Sequence, residues 1–181
     1  MTTFTTPVPK LTARQFAWDS AVLFVTVLWL GCSLLMDAIV MPLLYTSGMM
    51  TQPGFASAAH DLFGLFNRVE MIWAGIILTA VLAMRQAHAR KAVEVCGSRS
   101  RWAILLSAGL LAIACVFTYV LAPYMSGLGL SLDLPGATQA IPPAMNSMHA
   151  LYWSLEITKL ALLGKMLGLC YGDIAAQFQD S

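Results

Sequence analysis

The chain has 181 residues, 59% of them hydrophobic and only 10% charged, with a formal net charge of +1 at pH 7. A water-soluble domain carries roughly 25% charged residues, so this composition excludes an ordinary soluble globule, and with a net charge near zero nothing global points to nucleic acid. What fits the length is one domain of four membrane helices with short connections.

In chain order, residues 1–17 form an N-terminal tail carrying Lys10 and Arg14. Four segments then each supply the roughly 20 predominantly apolar residues that a span needs: about 18–45, 59–84, 102–125 and 144–171, followed by a tail over 172–181. The first is longer than a signal-peptide core and has no small-residue cleavage site before Asp37, so it is expected to stay as a helix. Between the second and third helices lies RQAHARKAVEVCGSRSR, with Arg85, Arg90, Lys91, Arg99 and Arg101, whereas TSGMMTQPGFASA and SGLGLSLDLPGATQAIPPA contain no Lys or Arg. The positive-inside rule then puts the middle loop and both termini in the cytoplasm, in a multi-pass protein of a bacterial inner membrane or its equivalent. None of Cys32, Cys96, Cys115 and Cys170 falls in an outward loop, so no disulfide is expected.

The chain reads as two tandem hairpins. IVMPLLY closes the first helix and YVLAPYM the third, which pairs Pro42 with Pro123. LFNRVEMIWAG and LYWSLEITKLA then pair Phe66 with Tyr152 and Glu70 with Glu156, given about five extra residues in the last outward loop. The expected fold is therefore an all-α membrane protein, a four-transmembrane-helix bundle of two helical hairpins related by a pseudo-two-fold along the membrane normal. Gly164, Gly168 and Gly172 make a small-residue ridge on the last helix, suited to close packing in the bundle, in a homo-oligomer or in a larger membrane complex.

The last helix also carries His149, Glu156, Lys159 and Lys165. At about 100° per residue His149, Trp153, Glu156 and Lys159 share one face, while Lys165 points away toward the cytoplasmic interface. Asp37 on the first helix and Arg68 and Glu70 on the second lie at similar depth. Each charge at a helix centre costs about 2.5–3.5 kcal/mol on insertion scales, so these groups are expected to converge in the outer half of the bundle. Asp37, Glu70 and Glu156 against Arg68 and Lys159 leave the set one positive charge short, which points to uptake of a proton or monovalent cation, with His149 as the entry group. A static ion-pair network that specifies helix packing is the competing reading.

Around the outward mouth, Met145, Met148 and His149 recur at one-turn spacing, and His60 lies at the same level on the other hairpin. Thioether and imidazole ligands suit copper(I), and two histidines suit haem; no cofactor at all is the simpler expectation. The phosphate-loop, zinc-protease, nucleophile-elbow and C-x-x-C patterns are missing, which argues against an enzyme.

LWLGCSLLMDAIVMPLLY, FTYVLAPYM and SMHALYWSLEITKLALLG resemble the four-helix membrane domain of unknown function that bacteria share with vertebrate transmembrane protein 205. Gly31, Pro42, Pro123 and His149 stand at positions that carry the resemblance, which implies four helices and no particular chemistry. The leading expectation for function is binding or transport of a proton, ion or small solute at the buried charges. The alternatives are an accessory or assembly subunit of a membrane complex, and a haem- or copper-binding redox protein.

Overall fold

A computed structural model describes residues 13–52, 54–89, 98–130 and 143–179, and every regular element among them is helical. Helix α1 (Ala13–Leu35) runs through a π-helical turn (Met36–Val40) into α2 (Met41–Thr46). A 3-10 turn (Met49–Thr51) leads to α3 (Phe55–Ala89). The reversal uses two glycines with positive φ, Gly48 at 70° and Gly54 at 81°, a conformation that glycine adopts without a Cβ clash. Helix α4 (Ser98–Val116) passes through a second π-helical turn (Phe117–Leu121) into α5 (Ala122–Leu130), and α6 spans Pro143–Gln179. The helices outrun the apolar segments read from the sequence. Arg85, Gln86 and Ala89 are good helix formers, so α3 continues past the apolar stretch instead of stopping at its edge.

Three helical stretches are long and apolar enough to cross a membrane: Ser20–Thr46, Phe55–Gln86 and Arg101–Gly129. Their outer faces carry large exposed apolar side chains such as Phe24, Leu65 and Leu105, which lipid contact explains and water contact does not. The protein is thus a multi-pass membrane protein by the length and composition of its helices. Helix α6 also presents exposed Leu151, Ile157 and Tyr171, but it holds Glu156, Lys159 and Lys165 within three turns, so composition alone does not mark it as a span.

Helices α1 and α4 each pack against both α3 and α6, which closes the four long helices into a ring. The inward stripes explain why. Val22, Thr26, Trp29 and Ser33 on α1 are all buried at alternating spacings of four and three residues, and Glu156, Lys159, Leu163 and Met166 on α6 follow the same rule. On α3 the buried set includes Asn67, Glu70, Ala74, Ile77 and Ala80; on α4 and its π-turn it includes Leu106, Leu110, Ile113, Phe117 and Leu121. Such narrow seams produce near-parallel packing of long helices. The larger apolar layer joins Trp29, Ile77, Leu110, Leu163 and Met166, and a smaller one gathers Ile113, Phe117 and Leu121 against Tyr152 and Leu155.

The two π-turns have one cause. Pro42 and Pro123 have no N–H, and in a regular α-helix their rings would collide with the carbonyl four residues back. Each π-turn starts six residues before its proline, and the residue just before the proline bonds five residues back: Met41 N–H to the Met36 carbonyl, and Ala122 N–H to the Phe117 carbonyl. The widened turn makes room for the ring without breaking the helix.

Candidate functional site

Helix α3 delivers Glu70, α6 delivers Glu156 and Lys159, and the first π-turn delivers Asp37. Glu70, Glu156 and Lys159 are each 1% exposed. Lys159 Nζ donates to Glu70 Oε1 at 2.6 Å and forms an ion pair with Glu156 Oε1 at 2.7 Å, one helical turn back on its own helix. Glu70 Oε1 accepts two further bonds from α1, from Trp29 Nε1 at 2.9 Å and from Ser33 Oγ at 3.1 Å. Asp37 lies one turn beyond Ser33 on the first helix and Glu156 one turn from Lys159 on α6, and because Ser33 and Lys159 both bond Glu70 and α1 packs on α6, the two carboxyls stand at one level of the bundle. The Phe117 ring, carried by the second π-turn, has its centroid 5.2 Å from Lys159 Nζ and packs 5.2 Å from the Tyr152 ring, so an aromatic face backs the ammonium.

The hydrogen bonding is lopsided. Glu70 Oε1 takes three donors, while Glu70 Oε2, Asp37 Oδ2 and both Glu156 oxygens are buried with no hydrogen-bond donor. Glu156 Oε1 has only the Lys159 ion pair at 2.7 Å, to an ammonium it shares with Glu70. All four orphaned atoms are carboxylate oxygens, so what this site lacks is donors or positive charge.

Other residues singled out in the sequence fall elsewhere. Arg68 is exposed on α3, only two positions from Glu70, and two positions on a helix point to nearly opposite sides. Removing Arg68 from the count leaves three carboxylates against one lysine, a deficit of two positive charges where the sequence reading had one. His149 is exposed, and its Nδ1 bonds the Met145 carbonyl of its own helix at 2.9 Å; Trp153 is exposed too, so only the Glu156–Lys159 half of the expected polar stripe turns inward. His60 pairs through Nδ1 with Ser126 Oγ at 2.6 Å, tying the start of α3 to α5. Met145 and Met148 are half-buried near the start of α6. Among the described residues no group of three His, Cys, Asp or Glu side chains is placed to hold a metal ion. Lys165 is exposed, and Cys96, Arg90 and Lys91 lie outside the described residues. Gly164 and Gly168 are exposed with nothing within 4 Å of the Cβ each lacks, so this part of the ridge faces out of the bundle.

Trp29, Ser33 and Phe117 complete the cluster and escape a search for ionisable groups. The signal for two of them is present, since Trp29 and Ser33 precede Asp37 by eight and four residues and so share its face of the first helix.

No curated protein and no solved structure matches the chain. One family does, over residues 24–130, a stretch that covers more than half of the chain and contains Trp29, Ser33, Asp37 and Glu70 but ends before Glu156 and Lys159. By that match the chain belongs to the family described as domain of unknown function (DUF4149).

Proposed function

We propose that this membrane protein binds a proton, cation or small cationic solute at the Asp37–Glu70–Glu156–Lys159 cluster, and that α6 is its fourth membrane-crossing helix. One observation carries the reading: four buried carboxylate oxygens without donors, around a single lysine. In a low-dielectric interior such a deficit is costly, and a bound cationic species relieves it. Burial of Glu156 and Lys159 supports α6 as a span, because the two charges that most weaken its apolar character face away from lipid. With the arginine-rich middle connection in the cytoplasm, both termini are cytoplasmic and the cluster lies in the outer half of the bundle. The matching offsets of the two π-turns from Pro42 and Pro123 support two hairpins related by a pseudo-two-fold.

The test is thermal unfolding of the purified protein in mild detergent over a grid of pH and sodium, potassium and organic-cation concentrations. A species that binds the folded state raises the melting temperature by mass action. The wild type is expected to respond to pH or to one cation, and Asp37→Asn with Glu156→Gln to flatten that response. A wild-type profile flat in every direction would leave a static packing network as the better account.

The open space over Gly164 and Gly168 favours a second reading, in which this face of α6 packs closely against another membrane helix. Cysteine crosslinking at Ala161 in native membranes tests it; absence of any crosslinked species sinks it.

A further inference from the structure

Resting on the ion-site reading above, we propose that the exchangeable species is a proton held between the Asp37 and Glu156 carboxyls, while Glu70 and Lys159 form a fixed ion pair that does not exchange. The cluster divides along this line by its donors. Glu70 is clamped on one oxygen by three groups, Trp29 and Ser33 from α1 and Lys159 from α6, all of them buried. Releasing it strands an indole N–H, a hydroxyl and an ammonium together. Glu156 has no such clamp. Its cationic neighbour, Lys159, is shared with Glu70, and the Asp37 carboxyl stands at its level on the first helix.

Asp37 Oδ2 and the Glu156 carboxyl are buried at one level on neighbouring helices, and two such carboxyl groups can bond each other only through a proton, because an ionised carboxylate only accepts. Of the groups facing the pair, Lys159 from α6 is shared between Glu70 and Glu156, Glu70 from α3 is an acceptor, and the Tyr152 hydroxyl, one turn from Glu156 on α6, is a neutral donor that cannot offset the charge of two carboxylates. The second π-turn contributes Phe117 to this neighbourhood, and the Thr118 hydroxyl beside it donates to the Ala114 carbonyl at 2.8 Å. Uptake adds one proton from water to one carboxylate oxygen, forms one O–H bond and breaks none within the protein. It lowers the charge deficit by one, and a second proton closes it.

A metal cation fits less well. Hard cations demand a shell of several oxygens, and here the Lys159 ammonium already occupies the centre, within 2.7 Å of both glutamates, where it repels a second cation. A proton joins a carboxyl covalently and needs no shell. Asp37 is the less buried of the two acids and sits on the widened turn beside Pro42, which makes it the entry group in place of His149.

Infrared spectroscopy of the intact protein in lipid nanodiscs tests this, in light and heavy water, on the wild type, Asp37→Asn, Glu156→Gln and Glu70→Gln. The expected result is a protonated-carboxyl carbonyl band at neutral pH that shifts in heavy water, disappears in Asp37→Asn or Glu156→Gln, and persists in Glu70→Gln. A band lost only in Glu70→Gln would overturn the division of roles. No band in the wild type, with a cation-dependent melting temperature, would overturn the proton and keep an ion site. No band and no dependence on pH or cations would overturn both readings. Should a variant fail to fold, the wild-type band and its heavy-water shift still decide for or against a buried carboxylic acid.

Discussion

The two π-turns use the same backbone to opposite chemical ends. Both start six residues before a proline and both bond five residues back across the widened turn. The first, Met36–Val40, has no buried residue and carries Asp37 to the carboxylate cluster; the second, Phe117–Leu121, buries Phe117 and Leu121 and turns an aromatic ring toward the lysine. Thr118 holds in the second turn the place that Asp37 holds in the first. The geometry is therefore a response to proline, and the side chain decides whether the turn joins a buried charge cluster or an apolar layer. In both turns the inward side chain keeps the regular four-residue spacing, Asp37 from Ser33 and Phe117 from Ile113, so the widening accommodates the proline without turning these residues away from the bundle.

If that contrast is right, perturbations on the carboxylate side should change both stability and its pH response, and perturbations on the aromatic side should change stability alone. The largest effect is expected from Lys159→Met, which leaves Glu70 and Glu156 buried without their cation. Breaking a buried pair from one side costs about 3–5 kcal/mol. The deficit should shrink as pH falls, since protons replace the lost charge, and the double variant with Glu70→Gln should recover part of it. Chemical unfolding in detergent at several pH values measures all three. Phe117→Ala comes next, with about 3 kcal/mol for removing a buried aromatic ring. That loss should be the same at every pH where the wild type is folded; a pH-dependent loss would mean that the ring is part of the titrating site.

How much of this the sequence makes legible follows from where the helical period stays regular. The helices are readable because long apolar runs and a basic middle connection need no knowledge of facing. Glu70, Glu156 and Lys159 are readable as interruptions of those runs. Facing is harder. Arg68 and Glu70 are two residues apart, so one helix cannot turn both inward, and counting Arg68 among the buried charges ignores that simple rule. His149 and Lys159 sit at the two ends of a wide arc on α6, and only the Glu156–Lys159 end meets neighbouring helices. The π-turns are harder still: proline marks the site, but the bond five residues back that widens the helix before it leaves no mark in the residue types. Trp29 is missed for a different reason. Its bulk is apolar, and its single donor matters only because Glu70 stands 2.9 Å away on another helix.

Trp29→Phe isolates that donor. The ring stays, so packing against Trp73, whose ring centroid lies 6.3 Å away, is largely kept, while Glu70 loses one of its three donors. A hydrogen bond to a charged group contributes about 1.5–3 kcal/mol, and the loss should appear in the unfolding free energy. The same variant sharpens the division within the cluster, because a loosened Glu70 competes less well for Lys159. The pH response should then change along with stability, as it should for any residue on the carboxylate side.

Thr118→Val is the smallest and most discriminating change. Valine keeps the shape of threonine and removes only the hydroxyl, which donates to the Ala114 carbonyl at 2.8 Å and lies 3.4 Å from the Asn67 carbonyl on α3. The expected loss is about 0.5–1.5 kcal/mol, the contribution of an ordinary hydrogen bond. It should be independent of pH, because neither partner titrates. Asp37→Asn changes just as few atoms at the corresponding place in the other turn, and should alter the pH profile strongly, and stability with it at the pH values where the two profiles differ. If Thr118→Val reshaped the pH profile as much as Asp37→Asn does, the two turns would be parts of one titrating unit, and the carboxylate site would extend across the whole bundle instead of ending at the aromatic face of Phe117.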